Sequence, residues 1–331
     1  MATPMSESAT TSVKAFLLDA LQATTVTISE PLQSLWGGQG SIVSITSDSL
    51  NHPVAVLKMI RPDRDASHPR GWNSDASFQR KEQSYVVECC WYEHYAHHCS
   101  EQCKVPDALG VLASPDQRLI LLEDLTPRYP VRCTRLEPEQ VYVCLSWLAH
   151  FHAQFLRKET PGLWPQGNYW HLATRKDEFA AMADGGVKQA AQQLDHRLRA
   201  SAFQTLLHGD AKVANFCFSG DLTRVAAVDF QYVGQGCGMS DLAYLLGSCL
   251  SESDCLHNEH LLLDQYFAAL SDAMAADWSA RDCLAIEQEW RDLYDVAWTD
   301  FYRFLLGWMP EHPKINLYTQ RVAERALMNL D

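Results

Sequence analysis

The chain is organised around the stretch Leu206-Leu207-His208-Gly209-Asp210-Ala211-Lys212-Val213-Ala214-Asn215-Phe216-Cys217-Phe218. An apolar run predicts a strand that ends in a short polar loop, and a second apolar run follows the loop. Fourteen residues after Asn215, a further predicted strand ends in Asp229-Phe230-Gln231. The pattern H-x-D-x-K-x-x-N followed by D-F is specific, because all its parts must occur in this order.

This set of side chains suits phosphoryl transfer from a nucleotide. Such a reaction needs one carboxylate to orient the attacking hydroxyl and to accept its proton. It also needs an amide and a second carboxylate to hold a divalent cation, and a positive charge near the transferring group. The alternative is two unrelated strand ends with solvated carboxylates, and it does not account for the ordered series.

Composition narrows the class of protein. The 331-residue chain has a net charge of −14, which argues against broad binding to nucleic acid or to anionic membranes. No stretch approaches the length of a membrane-spanning helix, and the polar N-terminus does not resemble a signal peptide. With eleven unevenly spaced cysteines, a cytoplasmic protein with reduced thiols is predicted. The sequence carries no signal for an oligomeric state.

One group of histidines and cysteines has two interpretations: a zinc site, or ordinary residues at the end of a helix. It comprises His94, His97, His98, Cys99 and Cys103. No second ligand pair follows at the spacing of a zinc finger, so the helix-end interpretation is favoured.

The sequence predicts that the N-terminal part is rich in strands. Predicted strands flank the turn Gly37-Gly38-Gln39-Gly40-Ser41, whose backbone N–H groups could approach phosphates, although many hairpins carry similar glycines. Lys58 interrupts the apolar strand of residues 53–60 and needs a partner or a ligand, unless it is an edge lysine that extends to water. A predicted helix over residues 78–98 offers Glu88 as that partner. Periodicity does not choose between it and two competitors, Glu82 and Glu93.

Two further strands are predicted at residues 105–112 and 118–122, and the second ends in Glu123-Asp124-Leu125-Thr126-Pro127. A strand that breaks into a polar, proline-containing connector indicates a boundary. We therefore predict an N-terminal lobe over residues 1–123, with residues 1–12 flexible, and a C-terminal lobe over residues 124–331. The second lobe is predicted to be mainly helical.

Helices are predicted in the C-terminal lobe at residues 137–157, at residues 174–200, and from Ser240 as N-cap with Asp241 in the first turn. His152 is interpreted as a core histidine. A late stripe of aromatic and acidic residues is interpreted as core packing, or alternatively as the lining of a pocket for a cation. It contains Trp290, Asp292, Tyr294, Asp295, Trp298, Asp300, Phe301, Tyr302 and Trp308.

Taken together, these residues resemble the protein-kinase-like fold in its small-molecule branch, the aminoglycoside and choline kinase-like phosphotransferases. The chain is most similar to the ecdysteroid kinase-like members. The resemblance spans most of the chain: Lys58, the E-x-x-W-Y that begins at Glu88, the E-D-L connector, the H-G-D-x-x-x-x-N loop, D-F-Q, and D-L-A-Y-L-L from Asp241. It implies an α+β fold with a strand-rich, antiparallel N-lobe, a helical C-lobe and ATP between them.

The resemblance also implies residue roles. Asp210 would be the catalytic base, with Lys212 near the γ-phosphate, and Asn215 and Asp229 would hold Mg²⁺. In the N-lobe, Lys58 would contact the α- and β-phosphates and pair with Glu88. The turn with Gly37, Gly38, Gly40 and Ser41 would cover the phosphates, and the backbone from Glu123 to Leu125 would meet the adenine. Asp241 would anchor the catalytic loop.

Two features favour a small hydroxylated acceptor over a peptide. Gly209 stands where an arginine would be needed to receive an activation-loop phosphate, and the segment from Asp229 to Ser240 is too short for a peptide-docking loop. The acidic net charge and the aromatic stripe suggest a choline- or amine-like acceptor, whereas the family branch suggests a sterol-like one. The rival hypotheses are a nucleotide-binding pseudokinase that acts as a regulatory module, and a protein kinase.

Overall fold

The computed structural model describes residues 7–35, 38–61, 75–114 and 117–330, without the side chains of residues 7–10 and 75–76. Gly37 and most of the polar loop of residues 61–77 therefore lie outside the described residues. The chain forms two compact units. Unit 1 comprises residues 1–98 and 105–127, and unit 2 comprises residues 99–104 and 128–331.

Unit 1 is built on a five-stranded antiparallel sheet with the strand order β1-β2-β3-β5-β4. Helix α1 begins at Glu7, inside the segment expected to be flexible. The elements of unit 1 in chain order are α1 (Glu7–Leu21), β1 (Val26–Ser34), β2 (Gly40–Ser47), β3 (Val54–Ile60), α2 (Asp75–His94), β4 (Ala108–Ala113) and β5 (Arg118–Glu123).

The core of unit 1 forms where α1 covers one face of this sheet. Val13, Leu17 and Leu21 recur every four residues along α1 and pack against strand residues that include Leu57 of β3. Because side chains alternate along a strand, Lys58 points to the other face of β3, where it meets α2.

Unit 2 is mainly helical and contains two small antiparallel sheets, β6-β8-β9 and β7-β10. Helix α3 packs on α7, and α8 packs on α5, α6 and α9. The elements are β6 (Val131–Arg132), α3 (Pro138–Phe155), α4 (Lys176–Ala181), α5 (Gly186–Arg199), β7 (Thr205–Leu207), β8 (Phe216–Phe218), β9 (Val225–Ala227), β10 (Gly234–Gly236), α6 (Met239–Cys249), α7 (Glu252–Met274), α8 (Ala280–Trp308) and α9 (Leu317–Met328).

The predicted α+β class, with an antiparallel sheet followed by a mainly helical part, is confirmed. Two predictions about helices in unit 2 were wrong. The single helix predicted over residues 174–200 is broken, because Gly185 and Gly186 disfavour a continuous helix between α4 and α5. Ser240 is not the N-cap of α6, since that helix already begins at Met239.

Within the described ranges, none of the helices combines the length and the apolar character that crossing a bilayer would require.

Candidate functional site

The loop between β7 and β8 holds Asp210 with one carboxylate oxygen engaged and the other open. Lys212 Nζ lies 2.8 Å from Asp210 Oδ2, and Asn215 Nδ2 donates to the same oxygen at 3.0 Å and to the Asp210 carbonyl at 2.8 Å. Asp210 Oδ1 is buried, and no donor in the described part of the chain hydrogen-bonds to it. An unsatisfied buried carboxylate oxygen is costly, so Oδ1 has the capacity to accept a hydrogen bond from a further donor.

The surrounding charges shift the pKa values of this loop. Burial raises the pKa of the Asp210 carboxyl, the Lys212 ammonium lowers it, and the Asp229 carboxylate raises it further. Burial lowers the pKa of Lys212, but the carboxylates of Asp210 and Asp229 outweigh this effect and raise it overall. Lys212 therefore stays positively charged beside Asp210.

Asp241 fixes the backbone of this loop from the first turn of α6. Its Oδ2 accepts the His208 N–H at 2.5 Å, and its Oδ1 accepts the Gly209 N–H at 3.0 Å. His152 Nε2 lies 3.3 Å from the same Oδ2, and its Nδ1 lies 2.7 Å from the Tyr266 hydroxyl. His152 is thus a fully buried core histidine, as predicted, and it also orients the anchoring carboxylate.

Gly209 is required for a reason that the sequence did not reveal. Its φ is +79°, and a Cβ atom here would lie 2.0 Å from the carbonyl oxygen of Tyr232. Any other residue would be strained in this conformation and would also collide with that carbonyl. The position therefore favours glycine independently of any argument about an activation loop.

Asp229 follows β9 in a left-handed conformation with a φ of +72°. The preceding residue binds the loop from His208 to Asn215 directly, because the Val228 N–H donates to the Asn215 carbonyl at 2.9 Å. Gln231 Nε2 donates to Asp229 Oδ1 at 2.8 Å and helps to orient the carboxylate. Asn215 and Asp229 therefore offer amide and carboxylate oxygens from adjoining elements, and such hard donors suit Mg²⁺.

In unit 1, Lys58 forms a buried ion pair with Glu88. Lys58 Nζ lies 2.7 Å from Glu88 Oε1, and both side chains are almost inaccessible to solvent. The competing acids are elsewhere: Glu82 lies 4.0 Å from Arg118, and Glu93 contacts His94. The structure thus selects the partner that periodicity left open.

The described part of the glycine-rich turn contains one glycine that the sheet itself requires and one that it does not. A Cβ atom on Gly40 would lie 2.0 Å from the Met59 carbonyl of β3, so close strand packing alone requires this glycine. Ser41 also pairs with Met59 in the sheet. Gly38, in contrast, has open space around its Cα, so the backbone there can be approached closely.

The predicted adenine connector lies at the end of β5. The backbone N–H of Glu123 donates to the Asp107 carbonyl at 2.9 Å, and its carboxylate accepts the Asp107 N–H at 3.1 Å. Glu123 therefore ties β5 to the segment before β4, while Leu125 is buried.

The aromatic stripe of α8 is mostly core. Trp290 is fully buried and donates to the Phe203 carbonyl. Two of the stripe's three acids have partners within the protein: Asp300 pairs with Arg303 at 2.8 Å, and Asp295 pairs with Arg325 at 2.6 Å. The third, Asp292, is exposed. The pairing of Asp295 and Asp300 weakens the case for a cationic ligand among the acids of the stripe.

The potential zinc ligands do not come together. Among the described residues, no group of three or more histidine, cysteine, aspartate or glutamate side chains has the arrangement to hold a metal. All eleven cysteines are free thiols.

The structure adds three side chains near Asp210 that the sequence did not single out. The hydroxyl groups of Tyr169 and Tyr244 lie 3.1 Å apart. Burial raises the pKa of both phenols, and the next largest cause is the charge of Asp210 for Tyr169 and that of Tyr169 for Tyr244. Asp210 contributes to both shifts. The third is Lys314, from the segment between α8 and α9. Tyr244 belongs to the D-L-A-Y-L-L motif, whereas Tyr169 and Lys314 had no sequence signal.

Comparison with known structures gave likenesses over most of the chain. A microcompartment-associated aminopropanol kinase is 16% identical, covers 96% of this chain and 94% of its own, and has a TM-score of 0.48. An aminoglycoside phosphotransferase from Streptomyces rimosus, solved with ADP and streptomycin, is 11% identical, with coverages of 86% and 98% and a TM-score of 0.46. An ethanolamine kinase from Plasmodium vivax is 9% identical, with coverages of 98% and 90% and a TM-score of 0.42.

The curated protein sequences gave no match. The model of the ecdysteroid kinase-like family matches residues 165–276, about a third of the chain. The matched segment includes the whole loop from His208 to Asn215, the D-F-Q motif and Asp241. It therefore confirms the predicted resemblance to the ecdysteroid kinase-like phosphotransferases.

Proposed function

We propose that the protein is an ATP- and Mg²⁺-dependent phosphotransferase that moves the γ-phosphate to a hydroxyl group of a small molecule. The observation that carries this proposal is the state of Asp210. Lys212 and Asn215 hold one of its carboxylate oxygens, while the other is buried and accepts no hydrogen bond from the described protein. A hydroxyl donor at Oδ1 would complete the site.

Asp210 then acts as the base. Its Oδ1 accepts a hydrogen bond from the acceptor hydroxyl, which orients the oxygen for attack, and takes the proton as the new P–O bond forms. The bond between the γ-phosphorus and the β,γ-bridging oxygen of ATP breaks in the same step, and ADP leaves. Lys212, 2.8 Å from the other oxygen, offsets negative charge that develops on the transferring group. Asp241 keeps the loop in place through the two backbone N–H groups that it binds.

Asn215 and Asp229 would hold the metal ion, which when bound neutralises charge on the phosphates. In unit 1, Glu88 keeps the Lys58 ammonium extended and charged, ready to bind the α- and β-phosphates of ATP. The open space at Gly38 supports a role for that turn over the phosphates.

A small acceptor is favoured by the segment after Asp229. Helix α6 already begins at Met239, and residues 234–236 between them are paired with β7 as strand β10. A peptide substrate would need an extended platform here, and the chain is too short and too constrained to supply one.

The test compares the wild type with Asp210→Asn and with Asp292→Asn, which changes an exposed aspartate of α8. MgATP binding is measured by calorimetry, and transfer is measured with γ-labelled ATP and a metabolite extract. For Asp210→Asn we expect MgATP binding to persist while transfer falls by roughly 10²- to 10⁴-fold, because the lost group acts on the acceptor. The control variant should match the wild type.

The rival functions give different results. A pseudokinase would bind MgATP without transfer to any metabolite, and a protein kinase would label peptides rather than metabolites. Equal transfer by the wild type and Asp210→Asn would remove Asp210 from the mechanism.

A further inference from the structure

Lys314 lies in a short, well-fixed turn between α8 and α9. Its backbone N–H donates to His312 Nδ1 at 3.1 Å, and its carbonyl accepts the Thr319 hydroxyl at 2.8 Å. The next residue, Ile315, donates its N–H to the His312 carbonyl at 2.8 Å. These bonds hold the backbone of Lys314 in one position, so its side chain emerges from a defined point.

The side chain of Lys314 lies on aromatic rings. Its Nζ is 4.8 Å from the ring centroid of Tyr244 and 5.4 Å from that of Phe301. Both rings belong to a buried aromatic cluster that also includes Trp170 and Phe304. The rings stabilise an ammonium group only modestly.

No carboxylate in the described part of the chain lies within ion-pair distance of Lys314, although the residue is only partly exposed. Three other cations of unit 2 that are at least partly buried pair directly with a carboxylate. Arg175 pairs with Glu178, Arg303 with Asp300, and Lys212 with Asp210. A partly buried charge without a counter-ion is costly, so a cation of this kind indicates a ligand.

Lys314 also belongs to the surroundings of the proposed base. Burial lowers its pKa to about 8, the thiol of Cys249 and the carboxylate of Asp210 oppose this shift, and Lys212 adds to it. Tyr244 adjoins both groups, since its ring contacts Lys314 and the carboxylate of Asp210 contributes to the raised pKa of its phenol.

We propose that Lys314 binds an anionic group, such as a carboxylate, on the acceptor molecule whose hydroxyl is phosphorylated at Asp210. The inference rests on the proposed function and gives it a substrate class: a hydroxylated anion. It replaces the choline- or amine-like acceptor suggested by the net charge and the aromatic stripe. A cationic acceptor would meet the ammonium groups of both Lys212 and Lys314, while two of the three acids of the stripe already pair with arginines.

The first experiment separates a metabolite extract into anionic, neutral and cationic pools and incubates each with γ-labelled ATP, Mg²⁺ and full-length protein. The variants are Lys314→Met and a matched control, Lys158→Met, which changes an exposed lysine 5.8 Å from the ring of Phe155. Lys314→Met is expected to fold, because it removes a charge that is costly to bury.

We expect labelled product from the anionic pool. For the purified acceptor, Lys314→Met should raise KM by roughly 10- to 100-fold with a smaller change in kcat, as for a lost charge-assisted hydrogen bond. Lys158→Met should behave like the wild type. Product only from the neutral or cationic pool, or an unchanged KM, would overturn the proposal. Weakened MgATP binding in Lys314→Met would also overturn it, since Lys314 would then contact the nucleotide.

A second measurement keeps the two proposals separable. Binding of 3-hydroxypropionate and of 3-amino-1-propanol, which share a hydroxyl and differ in terminal charge, is followed by NMR on the wild type and Lys314→Met. We expect the wild type to prefer the anion by roughly tenfold and the variant to lose this preference. If no pool accepts label, the proposed function fails. Equal or no binding of the two probes contradicts the role of Lys314.

Discussion

Replacement of Asp241 by asparagine tests whether the catalytic loop is held by one carboxylate. Asp241 is fully buried and accepts the backbone N–H groups of His208 at 2.5 Å and Gly209 at 3.0 Å. Asparagine keeps the shape of the side chain but has only one acceptor oxygen. Its amide group would therefore face a backbone N–H, so that two donors meet and one buried N–H loses its partner.

The expected loss in the free energy of unfolding follows from these two hydrogen bonds. A hydrogen bond to a charged group contributes roughly 1.5–3 kcal/mol, and a buried donor without a partner costs roughly 1–3 kcal/mol. The two effects overlap, so we expect Asp241→Asn to lower the free energy of unfolding by about 3 kcal/mol. For a unit of this size, that corresponds to a fall in Tm of roughly 6–12 °C.

Urea denaturation followed by tryptophan fluorescence measures this change, because seven of the ten tryptophans lie in unit 2. The control is again Asp292→Asn, which should stay within about 0.5 kcal/mol of the wild type. If Asp241→Asn is equally neutral, the two backbone bonds do not stabilise the loop, and the account of how Asp210 is positioned would be wrong.

Three further predictions concern other residues. Glu88→Gln should weaken MgATP binding at least about tenfold in calorimetry, because Lys58 loses its charged partner; unchanged affinity would contradict the role of the pair. Gly209→Ala should lower the free energy of unfolding in urea by more than about 2 kcal/mol through backbone strain and collision, whereas Gly220→Ala, with open space around it, should be nearly neutral. For an anionic acceptor, kcat/KM should fall as pH rises through about 8, because only protonated Lys314 binds the anion and its pKa is near 8. Lys314→Met should abolish this alkaline limb, and its persistence in that variant would assign it to another group.

Local patterns were sufficient where a short segment carries both the chemistry and its geometry. The loop from His208 to Asn215 carries Asp210, Lys212 and Asn215 within six residues, so their contacts with one another follow from a short loop between two strands. The α+β class was likewise predictable, since β-branched runs dominate before residue 123 and helical periodicity dominates after it. The break between α4 and α5 is hidden in the sequence, because helical periodicity continues on both sides of Gly185 and Gly186.

Contacts between distant segments could not be predicted in this way. Three glutamates of one helix were equivalent in the sequence, and only the packing of α2 on the sheet brings Glu88 to Lys58. The stripe of α8 has the spacing of a core helix and of a pocket lining alike. Two of its acids pair with arginines, one of which is Arg325 of α9, and these ion pairs favour the interpretation as core packing.

The sequence by itself determined the class of fold and which residues are proposed to carry out the transfer, because these depend on composition and on neighbours along the chain. The tertiary structure alone decided which acid pairs with Lys58, how Asp241 holds the loop from His208 to Asn215, and that Lys314 lies beside Tyr244. These features join residues separated by 30, 33 and 70 positions. Only the packing of helices and strands determines such distances, and therefore the charge beside Tyr244.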